Sequence, residues 1–166
     1  MTGPVVHLDD ITLRDWRHGE GYAAKLGRIG GVIGAKQLGC QLHILPPGKA
    51  AFPRHFHHVN EEMYIVLEGT GTFDWNGTQY PVRQGSICAA PAGGPETARK
   101  IWNSGDTDLV FLCVSTRRDP DVCEYPDSGK FMVASGTPDG AGLLQSALFF
   151  MGRRDSAVDY WDGEDQ

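Results

Sequence analysis

Glycine and proline break this chain before any apolar pattern runs long enough to make a helix. Twenty-two glycines in 166 residues is about twice the ~7% of an average protein, and ten prolines add further stops. Between the stops lie short runs with apolar residues at alternate positions, the period of a strand. In Leu38 to Leu45, Leu38, Cys40, Leu42 and Ile44 alternate with Gly39, Gln41 and His43 until Pro46-Pro47-Gly48 ends the run. Met63 to Glu68 is a second run, closed by Gly69. Thr72 to Trp75 and Thr78 to Val82 flank Asn76-Gly77, a pair suited to a tight hairpin because both central residues need positive φ. Ser86 to Ala90, Arg99 to Trp102 and Leu109 to Ser115 continue the series. The pattern predicts an all-β fold.

The length suits one domain, 1–166, which on folding buries roughly 70% of the surface its unfolded chain exposes. Residues of about 22–118 read as the core, with arms at 1–21 and 119–166. The first arm is irregular. In the second, Asp119 to Lys130 shows no period, while Phe131 to Ala134 and Ala147 to Met151 read as edge strands. Gly27 to Gly34 and Ser128-Gly129-Lys130 lack the glycine spacing of a nucleotide loop and read as turns.

Fifteen basic against 21 acidic side chains give a net charge of −6. Such a surface repels phosphate backbones and anionic headgroups, so neither nucleic acid nor membrane is expected as a partner. The four cysteines (Cys40, Cys88, Cys113, Cys123) are far apart and form no Cys-x-x-Cys. A reduced, cytoplasmic protein is therefore expected. Met1 to Asp15 has no basic start and no long apolar run, the marks of a signal peptide.

The chemistry concentrates in His55-Phe56-His57-His58-Val59-Asn60-Glu61-Glu62. On a strand, His55 and His57 project to one face and Phe56 to the other. After a short turn, Glu62 opens the next strand, where an antiparallel return sets its carboxylate beside the imidazoles. Two imidazoles and a carboxylate on one point suit a divalent ion (Zn, Mn, Fe or Ni) with coordination positions left open. His58 and Glu61 have the opposite parity and belong at the rim; His43, opposite Leu42 and Ile44, is assigned to the surface.

This segment resembles the first cupin motif, Gly-x5-His-x-His-x3–4-Glu-x6-Gly, through His55, His57, Glu62 and Gly69, with Gly48 one residue further out than the pattern. The second motif, Gly-x5-Pro-x-Gly-x2-His-x3-Asn, is visible in Gly85, Pro91, Gly93 and Asn103, but its histidine is missing. Counting back from Asn103 puts Arg99 there; counting forward from Pro91 puts Glu96 there. The resemblance implies a cupin double-stranded β-helix (jelly-roll) barrel with N- and C-terminal extensions. Val122 to Lys130 and Val158 to Glu164 are also similar to bacterial single-domain cupins of the sugar-phosphate-isomerase-like group.

Arginine has no lone pair to give a metal. Arg99 is expected either to grip an anionic small-molecule ligand or to pair with Glu62 or Glu96 in a pocket that has lost its metal. Tyr64 follows Glu62 on the same face and is a candidate to bind substrate, and Glu96 a candidate to move a proton. The functions open at this point are a metal-dependent isomerase-like enzyme acting on a small anionic metabolite, an Fe(II) dioxygenase, and a binding or sensing protein without turnover. Met63, Ile65 and Leu67 give the other face of their strand an apolar surface, which predicts a homodimer packed there or through the arms.

Overall fold

Short alternating runs closed by turns fold back on one another as antiparallel neighbours. A computed structural model, describing residues 3–139 and 141–164, contains thirteen strands, numbered β1 to β13 in chain order. One sheet holds, in spatial order, β1 (Leu13–His18), β2 (Tyr22–Arg28), β3 (Leu38–Leu45), β10 (Leu109–Thr116), β5 (Glu62–Glu68) and β8 (Ile87–Ala90). A second holds β7 (Thr78–Arg83), β6 (Thr70–Trp75) and β9 (Arg99–Trp102). A third holds β4 (Phe56–His57), β11 (Asp121–Tyr125), β12 (Lys130–Ser135) and β13 (Leu148–Arg153). His55 pairs with Arg99 as an isolated antiparallel bridge, and this seam joins the second and third sheets into one layer. The architecture is an all-β jelly roll of two layers.

The layers close on a core drawn from both. Leu45, Tyr64, Val66, Leu109 and Phe111 come from the six-stranded sheet, and Phe73, Val82 and Ile101 from the strands opposite. The six-stranded sheet is also covered on its outer side. There Ile11, Ile29 and Leu42 are buried, with Leu67, Val110 and Leu112 packed against them, while Met63 stays 44% exposed.

Turn chemistry fixes the strand ends. Asn76 and Gly77 both take positive φ, 49° and 82°, as a tight hairpin between β6 and β7 requires. Gly69 has φ 79°, and a Cβ there would lie 2.3 Å from the carbonyl oxygen of Asp108. Asn103 is fully buried and ties off the β9–β10 turn. Its amide donates to the Leu45 and Thr107 carbonyls, each at 2.7 Å, and accepts from the Gly105 N–H at 2.9 Å.

Several expectations change. Part of the first arm is the strand β1, paired with β2 along its whole length. The stretch without a period contains β11, which is held on both sides by β4 and β12. Of the two expected edge strands, β13 is one, but β12 is flanked by β11 and β13. His43 is buried, not at the surface: its ring stacks 4.7 Å from Phe111. The alternation in β3 has the expected parity, yet both faces are covered. Leu42 meets the outer cluster while Leu45 enters the core. Among the described residues every helical segment is a short 3-10 turn, and none is long and apolar enough to cross a membrane.

Candidate metal centre

Register brings the site together. His55 and Arg99 exchange both backbone hydrogen bonds, at 3.0 and 2.9 Å. His57 lies directly opposite Cys123 across the β4–β11 pair. Glu62 opens β5 between Ser115 of β10 and Ala90 of β8. The two histidines come from one layer and the carboxylate from the other, so they meet across the interior.

Each imidazole is held by its Nδ1. His55 Nδ1 lies 2.8 Å from the Pro53 carbonyl oxygen, which can only accept, so Nδ1 carries the proton. His57 Nδ1 is 2.8 Å from Asp121 Oδ2 and donates to that carboxylate in the same way. Both Nε2 atoms are left facing Glu62: His55 Nε2 is 3.9 Å from Oε2 and His57 Nε2 is 3.9 Å from Oε1. Tying down one ring nitrogen to aim the other is how metal-binding histidines are usually oriented.

Glu62 is held just as firmly. Its Oε2 accepts from Arg99 Nη2 at 2.6 Å and from the Tyr64 hydroxyl at 2.7 Å. Oε1 has a weaker contact, the Cys113 thiol at 3.6 Å. One carboxylate oxygen is thus committed and the other is turned to His57. The Cys123 Sγ forms a group with the histidines alone: it and one nitrogen each of His55 and His57 lie within 4.8 Å of one another, a set that does not take in Glu62. These donors fit a divalent cation. Two imidazoles with fixed tautomers, an ionised carboxylate and a thiol are the ligand types that zinc and its neighbours take.

Charge follows from burial and contact. Burial pushes His55 down to about 4, helped by Arg99 and His57 and opposed by Glu62, so its imidazole is neutral at pH 7. For Glu62, burial alone would raise the carboxyl, but His57, Arg99 and His55 together with the Tyr64 hydrogen bond outweigh it and hold it well below the usual range. Burial raises the Tyr64 hydroxyl well above its ordinary value, and the Glu62 charge adds to this. Burial also pushes the Cys123 thiol up to about 12 in the absence of an ion. Burial alone would lower the pKa of Arg99, but Tyr64 and Glu62 raise it instead, so it stays a cation.

The structure thus brings His55, His57, Glu62, Arg99 and Tyr64 together and leaves Glu96 out. Glu96 sits in an exposed 3-10 turn, where its carboxylate accepts the Gly94 N–H at 2.9 Å. Counting back from Asn103 locates the second-motif position, because the extra residues are absorbed in that turn and β9 begins at Arg99. Of the two roles expected for Arg99, the geometry shows the ion pair with Glu62; the side chain is fully buried. His58 lies at the rim with Glu124, 2.8 Å away. Sequence reasoning missed Asp121 and Cys123. The available signal was the alternation Asp121-Cys123-Tyr125, three side chains of one strand face inside a polar stretch.

Two facing β layers with a histidine–carboxylate centre between them define a cupin-type jelly roll. Residues 41–115, a little under half of the chain, match the cupin domain family, and the fold is that of a cupin-superfamily structure. It is 39% identical over 70 residues to the oxalate-binding protein of Thermotoga maritima, an alignment covering 42% of this chain and 54% of that protein. The chain thus spans about half the length of that curated relative. A sugar phosphate isomerase of the cupin superfamily from Silicibacter pomeroyi superposes with TM-score 0.78 at 25% identity, over 96% of this chain and 98% of its own. A predicted oxalate decarboxylase from Thermotoga maritima superposes with TM-score 0.58 at 29% identity, over 69% of this chain and 99% of its own.

Proposed function

We propose that the protein binds a divalent metal on His55, His57 and Glu62 and uses it to hold a small oxygenated anion. The observation that carries this reading is the paired orientation of the histidines: Pro53 and Asp121 hold the two Nδ1 atoms, and both Nε2 atoms face one carboxylate. Arg99 and Tyr64 hold Glu62 by its Oε2, the oxygen that faces His55. The ion would supply a Lewis-acidic centre for a carboxylate or carbonyl oxygen.

Capture is favoured over proton transfer because the proton-bearing side chains of the site are committed and the one expected to move a proton lies elsewhere. Tyr64 donates to Glu62, Asp121 accepts from His57, and Glu96 is outside the site. The similarity to an oxalate-binding protein supports a dicarboxylate-like ligand. A second reading, isomerisation of a sugar phosphate, rests on the nearly full-length superposition with the Silicibacter pomeroyi protein. The same proposal includes a reduced, cytoplasmic setting for the four free thiols. It also includes a homodimer formed through the exposed Met63 or the exposed Leu148 and Phe150 of β13, which light scattering across a dilution series tests.

The direct experiment is elemental analysis of protein purified without chelator or nickel resin, followed by calorimetric titration of the loaded protein with oxalate. Stoichiometric metal that is lost in His57→Ala and Glu62→Ala, with saturable oxalate binding only in the loaded form, is expected. Full metal content in both variants would refute the site. Ferrous-dependent oxygen uptake would favour an oxygenase, and turnover of a sugar phosphate an isomerase.

A further inference from the structure

The inner face of β11 is fitted to the two histidines along its whole length. Asp121 accepts the His57 Nδ1 proton at 2.8 Å. Tyr125, four residues on, lies with its ring 6.0 Å from that of His55. Cys123 is midway between them, opposite His57 in the strand register, and is 1% exposed. Its Sγ and one ring nitrogen of each histidine lie within 4.8 Å of one another. A cysteine that merely filled space against Met132 and Ala134 would have no need to face two imidazoles.

We propose that Cys123 is a metal ligand in this chain and makes up for the donor that Arg99 cannot supply; the inference rests on the metal reading of His55 and His57. Two observations beyond proximity support it. Arg99 is fully buried and paired with Glu62, so the position where the second motif carries a histidine offers the ion no lone pair. In addition, an ion and the Arg99 guanidinium together carry more positive charge than the Glu62 and Asp121 carboxylates offset, and a thiolate reduces that excess. On binding, the Cys123 S–H bond breaks, its proton leaves to solvent, and the sulfur lone pair goes to the ion with no change of oxidation state. A set of two nitrogens and one sulfur selects zinc or cobalt over magnesium or calcium.

The test is cobalt(II) titration of the reduced, chelator-stripped protein, followed by absorbance. Visible d–d bands and a near-ultraviolet sulfur-to-cobalt band are both expected. The sulfur band should vanish in Cys123→Ser and persist in Cys113→Ala, the other thiol near Glu62. Zinc affinity in Cys123→Ser should fall at least about tenfold. X-ray absorption of the zinc-loaded wild-type protein, which needs no variant to fold, should show one sulfur scatterer at ~2.3 Å. Visible bands without a sulfur band in wild type would overturn the Cys123 assignment and leave the histidine site standing. A sulfur band that survives in Cys123→Ser would overturn it too. No cobalt binding at all would refute both.

Discussion

Arg99 stands directly across from His55 on the seam between β9 and β4, and its guanidinium reaches past the histidine to Glu62 at 2.6 Å. Residues that exchange both backbone hydrogen bonds project their side chains to one face. The arginine therefore enters the pocket from the wall that carries the histidines, and neutralises the carboxylate that would otherwise face the ion alone.

Replacing Arg99 by histidine should separate these effects. Breaking the buried pair is expected to destabilise the metal-free protein by about 3 kcal/mol. Removing the cation and adding a lone pair should strengthen divalent-metal binding at least about tenfold. Denaturant titration and competition with a chromophoric chelator measure the two quantities. A variant with weaker metal binding would show that Arg99 helps the ion by positioning Glu62.

Asp121 sets the tautomer of His57, so its effect on metal binding should be indirect. Asp121→Ala is expected to cost ~10- to 100-fold in metal affinity, and Asp121→Asn, which can still accept from Nδ1, distinctly less. Circular dichroism should show both variants folded. Equal losses in the two would mean that the carboxylate charge matters more than the hydrogen bond.

His43 gives the metal-free protein an acid-sensitive stability. Burial holds its imidazole down to about 4, and its Nδ1 has no hydrogen-bond partner. An unfolded histidine protonates near ~6.5, so below that pH the unfolded chain takes up a proton that the folded one refuses. Stability should fall as pH drops from ~6.5 towards ~4, by roughly 3 kcal/mol for this group. His55 is depressed in the same direction. His43→Phe should therefore reduce, but not abolish, the slope seen in denaturant titrations between pH ~7 and ~4.5. An unchanged slope would assign the whole dependence to other groups.

Gly69 should tolerate no side chain. It combines positive φ with a backbone carbonyl 2.3 Å from where a Cβ would sit. Gly69→Ala is expected to cost at least ~3 kcal/mol, the size of a substitution that forces the backbone to shift. Thermal and denaturant unfolding measure it, and a loss under about 1 kcal/mol would show that the β5–β6 turn relaxes.

Local rules carried much of this fold. Alternation located β3, β5, β6 and β7 because each run ends at a turn residue, and the i, i+2 spacing of His55 and His57 placed both on one face. What could not be seen was distance. Nothing near His43 in the chain says that Phe111, paired with it across β3 and β10, forms a lid over its ring. Likewise β11 has a polar composition because Asp121 serves His57 and Glu124 serves His58. A hydropathy pattern registers those side chains as exposed, whereas their partners lie more than sixty positions away. The second-motif position could be counted to Arg99 or to Glu96 for the same reason, since the 3-10 turn there has no periodic signature.

The stretch shared with the cupin domain family ends at residue 115, ahead of the strand that braces His57. A protein pared down to that stretch would keep both imidazoles and lose the carboxylate that aims one, the thiol between them and the ring beside the other. Transplanting this centre into another scaffold would therefore mean carrying over a piece of what looks, on paper, like trailing sequence.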